Sequence, residues 1–108
     1  MASATYFQRG EALDYTNTGS SKIEVGTVVK IGTRIGIVGD DINPKATGVI
    51  HVTGVYEFKK IGTNEIKMGT TVYFDGNGIT ETAGSNAVAG YAAEDTAASA
   101  TSIKVKIG

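Results

Sequence analysis

The sequence predicts an all-β fold: a small β-barrel or β-sandwich of short antiparallel strands, built from two similar half-units, with little or no helix. Three observations carry that prediction. Apolar and polar residues alternate over short runs, and no longer window shows helical spacing. The composition favours strands and tight corners, with 15 glycines, one proline and abundant threonine among 108 residues. A segment pattern of the first half also recurs, weakly, in the second. A chain of this length reads as one domain, residues 1–108, with residues of about 1–12 as an extended N-terminal arm.

The strands follow in order. Thr27-Val28-Val29-Lys30-Ile31 places Thr27, Val29 and Ile31 on one face, and Arg34 to Val38 places Ile35 and Ile37 together. Gly32-Thr33 is the turn between them. Val49 to Phe58 is apolar on both sides, which invites cover on its second face from a neighbouring subunit. Val72-Tyr73-Phe74-Asp75-Gly76-Asn77-Gly78-Ile79-Thr80 reads as a hairpin, because Asp-Gly and Asn-Gly accept positive φ at little cost. In Ile103-Lys104-Val105-Lys106-Ile107, three apolar residues alternate with two lysines, one face for the core and one for water. Ala83 to Ala100 comes nearest to a helix, but Gly84 and Gly90 interrupt it, so at most short helical turns are expected there.

The repeat gives this order a logic. Ile23-Glu24-Val25-Gly26-Thr27 is echoed by Ile66-Lys67-Met68-Gly69-Thr70, an offset of 43 positions from Ile23 to Ile66. Gly36-Ile37-Val38-Gly39-Asp40-Asp41 is echoed by Gly90-Tyr91-Ala92-Ala93-Glu94-Asp95, an offset of 54 from Gly36 to Gly90. The second half therefore carries 11 extra residues, the difference of the two offsets, around the Asp75 hairpin and the Ala-rich stretch. One strand resists alignment. An offset of 54 sets Ile103, Val105 and Ile107 against Val49, His51 and Thr53, although Ile50, Val52, Tyr56 and Phe58 form the stronger apolar face. Either the register slips by one, or Val49 to Phe58 is buried on both sides.

Charge and motifs exclude several function classes. The net charge is −1 and the basic residues are scattered, so no concentrated patch for nucleic acid exists. Nothing approaches a transmembrane span, so no membrane partner is expected. Met1 to Phe7 lacks the basic and apolar regions of a signal peptide, which points to synthesis in a cytosol. With no cysteine, the fold holds without disulfides. There is no Gly-Lys dipeptide and hence no P-loop. His51 is the only histidine and is read as a strand residue, partly buried or at an interface, rather than a catalytic group. The acid pairs Asp40-Asp41 and Glu94-Asp95 are read as turn residues that bond backbone amides. Asp75-Gly76-Asn77-Gly78 lacks the ligand pattern of a calcium loop. No enzyme activity, cofactor or metal is expected.

The ordered set of segments resembles a known family. It runs from Ala4-Thr5-Tyr6-Phe7-Gln8-Arg9-Gly10 through Tyr15-Thr16, similar to that family's opening strand, to Val25–Gly32 and Gly36-Ile37-Val38. It continues through Gly48–Phe58, Met68–Asp75, Ala89–Ala92 and Ile103–Ile107. The family is that of phage capsid cement, or head-decoration, proteins, formerly a domain of unknown function sometimes mislabelled as a recombinase. The resemblance implies a non-catalytic virion protein on the outer surface of the capsid, often a homotrimer, whose partner is the major capsid protein. Thr5, Tyr6, Phe7, Gln8 and Arg9 are the expected capsid contact, since extended arms add strands to neighbours and Tyr, Phe and Arg anchor interfaces. Burial of Tyr6 or Phe7 in the chain's own core is the competing reading. Val49, His51 and Val55 are the expected subunit interface. The alternative functions are another virion component, at a fibre base or tail, and a glycan-binding β-domain.

Overall fold

A computed structural model describes residues 2–108. Nine strands form in order: β1 (Ala12–Thr16), β2 (Val28–Ile31), β3 (Arg34–Val38), β4 (Thr47–His51), β5 (Gly54–Lys59), β6 (Thr71–Phe74), β7 (Ile79–Thr80), β8 (Ala87–Ala92) and β9 (Ser102–Ile107). All belong to one open, mixed sheet, and no helix occurs among the described residues. The all-β class is the one the sequence predicts.

The repeat is real at the level of hydrogen bonds. Ladder β1–β4 runs from Ala12↔His51 to Thr16↔Thr47, and ladder β5–β9 contains the same pairs as Val55↔Lys106 to Lys59↔Ser102. Pairs Val28↔Ile37 and Val29↔Gly36 of β2–β3 reappear as Thr71↔Tyr91 and Val72↔Gly90 of β6–β8. The turn bonds repeat as well: Gly26 N donates to Val38 O and Gly69 N to Ala92 O, at 2.8 and 2.9 Å. Both glycines need the left-handed region, at φ 87° and 89°, which explains why glycine stands at both places. The inserted residues supply β7, which pairs with β6 through Tyr73↔Thr80 and Phe74↔Ile79. The Asp75 hairpin is therefore formed as expected.

The misaligned strand is settled by a slip of one residue. Val38↔Ile50 of β3–β4 matches Ala92↔Val105 of β8–β9, which moves the offset in the last strand from 54 to 55. Ile50 and Val105 then share one position, and both are fully buried. Val49 to Phe58 is not one doubly buried strand but two, β4 and β5, with Val49 and Val55 facing solvent. The strand buried on both faces is β3, where Ile35 to Val38 are all buried. No second subunit is needed to cover it. Ile35 and Ile37 enter the larger apolar cluster with Phe58, Ile66, Val72, Ile79, Ile103, Val105 and Ile107, while Val38 packs with Val29, Ile42 and Ile50 in a smaller one. Gly36 lets Ile50 approach, since a Cβ there would lie 2.7 Å from its Cδ1. β3 is thus the wall shared by the two halves.

The backbone specifies two segments that the sequence left coarse. The Ala-rich stretch holds strand β8 rather than helical turns, because its alanines at 87, 89 and 92 alternate into the core where a larger side chain has no room. A register shift opposite Val72/Tyr73 accommodates the irregular spacing. The opening strand begins only at Ala12; residues 2–10 carry no ladder.

Candidate contact surfaces

Thr5, Tyr6, Phe7, Gln8 and Arg9 are all exposed and lie before the first strand. Tyr6 is 79% and Phe7 90% exposed, so neither aromatic enters the chain's own core. The segment is held only lightly: Gln8 Nε2 donates to Ala12 O at 3.3 Å, and Arg9 pairs with Glu11 at 3.3 Å with both side chains in water. The two adjacent aromatics thus stand exposed ahead of a strand that they do not join. Met1, the first residue of the expected arm, lies outside the described residues.

The residues expected between subunits occupy two places. Val49 and His51 share one face of β4, as alternate residues must. Val55 stands on the outward face of β5, opposite Tyr56 and Phe58. Val49 and Val55 are exposed apolar side chains. His51 instead lines a groove of about 450 Å³ between the halves, with Val25, Val28, Ile37, Tyr56 and Phe58. Gly39 makes room for the ring, since a Cβ there would lie 2.7 Å from His51 Nε2. This groove was invisible in the sequence because its walls come from β2, β3, β4 and β5, which only the folded sheet brings together.

The chemistry of the acids is architectural. Asp41 Oδ1 accepts from Val25 N at 2.8 Å, and its counterpart Asp95 accepts from Met68 N at 2.8 Å. The amide of Val25 holds the Asp41 carboxyl below its ordinary value, against a small desolvation effect and with help from Lys22 at 3.5 Å. The amides of Asn77 and Gly78 do the same for Asp75. Asp40 accepts from the amide of Asp41 at 2.9 Å, and Glu94 pairs with Lys104 at 3.6 Å. No group of three or more His, Asp or Glu suited to a metal ion occurs among the described residues.

Two polar residues of structural weight were missed by sequence reasoning. Asn17 and Lys60 occupy equivalent positions and are buried. Asn17 Nδ2 donates to Ser21 O and Ile42 O at 2.7 and 3.0 Å; Lys60 Nζ reaches Gly62 O and Ala98 O at 3.4 and 3.3 Å. Each ties a long loop to the end of its half's first strand.

The strands and the amide-bonded acids define a small all-β domain with exposed aromatic and aliphatic side chains. More particularly, the chain belongs to the phage cement protein family, whose model matches residues 7–107. Membership makes it a structural, capsid-associated component of a phage virion. No curated protein and no solved structure matches it.

Proposed function

We propose that this protein binds the outer surface of a phage head and stabilises contacts between major capsid subunits, without catalysis. The single observation that supports the reading most is the match to the cement family across residues 7–107, joined to an N-terminal segment whose aromatics stay in water. After synthesis in the host cytoplasm, the chain acts as one domain with residues of about 1–12 as its arm. Thr5 to Arg9 contact the capsid, where Tyr6 and Phe7 bury their rings and the backbone adds to a neighbouring sheet. Val49, His51 and Val55 lie between subunits of a homotrimer. A trimer on a repeated lattice lets several modest contacts act together, so affinity exceeds that of any one contact.

Purified protein is incubated with expanded heads that lack it, and the bound fraction is measured by co-sedimentation, with the mass in solution taken by light scattering. Saturation at a fixed ratio to the major capsid protein, with heads surviving more heat, is the expected result. Tyr6→Ser with Phe7→Ser weakens binding roughly tenfold or more while the fold is retained, as loss of interface anchors requires. Failure of the wild-type protein to bind any form of the head removes the reading.

A further inference from the structure

The internal repeat exposes a vacant strand position, and we infer that an acidic, extended segment of the major capsid protein fills it by pairing with the outer edge of β2. The inference deepens the cement reading and rests on it.

In the second half, β6 has strand partners on both sides, β8 and β7. In the first half its counterpart β2 is paired, among the described residues, to β3 alone. The polarity of that edge follows from one bond. Val38 N donates to Thr27 O, so by antiparallel alternation Thr27, Val29 and Ile31 bond inward to β3. The backbone groups of Val28 and Lys30 therefore point away from β3, with no strand to receive them.

Side-chain burial tells the same story. β7 brings Ile79, which is 0% exposed, into the core beside Phe58 and Ile66. Thr80, Glu81 and Thr82 then line a shallow recess with Ile61 and Ile66. The first-half counterparts of Phe58 and Ile66 are Tyr15 and Ile23, and both remain only half-buried against their cluster. What the first half lacks is what β7 supplies: a short antiparallel strand with one branched aliphatic residue pointing inward.

β7 is thus an in-chain template for the occupant, and charge narrows the choice further. Lys30 is exposed on the edge strand, where its charge already reaches the Asp75 carboxylate, and Lys45 Nζ is fixed on Thr18 O at 2.9 Å. Neither is in a salt bridge with a carboxylate among the described residues. An occupant carrying a carboxylate next to its aliphatic residue completes this site, much as Glu81 follows Ile79-Thr80 in the template. The N-terminal segment of a second copy fits less well, because Arg9 would approach both lysines.

The test compares three proteins on the same heads, after circular dichroism and thermal melting have confirmed their folding. Lys30→Pro removes an outward amide without removing a β2–β3 bond, a substitution that edge strands tolerate. Lys30→Thr keeps the amide and removes the charge. The expected result is a loss of affinity of roughly tenfold or more for Lys30→Pro and a smaller loss for Lys30→Thr that shrinks in high salt. A photo-crosslinking side chain at Thr18 should label the major capsid protein on a segment with an acidic residue beside Ile, Val or Leu. Wild-type binding with unchanged Lys30→Pro binding overturns the inference and leaves the cement reading standing. So does crosslinking to the N-terminus of a second copy. No binding by the wild-type protein removes both.

Discussion

The two halves of the molecule follow one hydrogen-bond plan and bury very different amounts. Turn for turn, Val25–Asp41 matches Met68–Asp95, and Ile23↔Ile42 matches Ile66↔Thr96. Yet Phe58 and Ile66 are in the core where Tyr15 and Ile23 are half-exposed. The difference traces to the insertion, whose strand β7 closes the apolar space of the second half. Backbone ladders are copied by preserving a few glycines and aspartates, but a core is copied only if the volume above it is copied too. The first half offsets its deficit by sending Ile35 and Ile37 into the larger cluster, so its stability leans on its neighbour.

The largest expected effect comes from emptying the second core. Ile79→Ala removes the residue that the first half does without, and should cost about 2–5 kcal/mol in urea unfolding. Ile23→Ala, at the half-exposed position, should cost about 1 kcal/mol, in proportion to the smaller area it buries. Equal losses at the two sites would break the distinction drawn between the halves.

A smaller effect tests how each half fills one shared pair of positions. By register, Gly48 corresponds to Ile103 and Ile42 to Thr96. The first half places the bulk on Ile42, and a Cβ at Gly48 would sit 2.5 Å from its Cγ1. The second half reverses the arrangement, a large residue at 103 beside a small one at 96. Gly48→Ala should therefore destabilise by about 1–3 kcal/mol through overpacking. Gly48→Ala should cost less on an Ile42→Ala background, which lacks that Cγ1, as read in a double-mutant cycle, because the two positions touch. Additive losses would mean that the strain lies in the backbone of β4 instead.

Much of this plan was legible in the sequence. The glycine-punctuated strands, the Asp75 hairpin and the two half-units all follow from period and turn chemistry, which are local. Burial across elements was not legible. Lys60 is one of the scattered basic residues in the sequence, yet it is buried, its ammonium met by the nearby carbonyl of Gly62 and the distant carbonyl of Ala98. The strand buried on both faces is β3 and not Val49–Phe58: of the two alternatives the sequence left open, the one-residue slip before β9 holds, and the cluster on one face of β3 is assembled largely from the other half. The exposure of Tyr6 and Phe7 was an even choice until the core was seen to be complete without them. The groove around His51 left no trace at all, having four strands as its parents.

The smallest effect concerns the aspartates that brace the turns. Asp41 and Asp75 titrate below the ordinary carboxylate value of 3.8 because backbone amides bond their charged forms, from Val25 in one case and from Asn77 and Gly78 in the other. A folded value below the unfolded one means that the charged form favours folding. That contribution is fully present above pH 3.8 and is lost as the pH falls through the lower folded values. Both groups are solvent-exposed, so the contribution is modest and weakens with salt in so far as Lys22 assists Asp41. Asp41→Asn should leave a shallower decline of stability between about pH 5 and about pH 2, followed by urea unfolding at each pH. Asp95 bonds Met68 with the same geometry but has no counterpart of Lys22 among the described ion pairs. Salt should therefore change the acid limb less in the Asp41→Asn protein than in the wild type. An identical salt response in the two would mean that the amide bond alone does the bracing, in both halves alike.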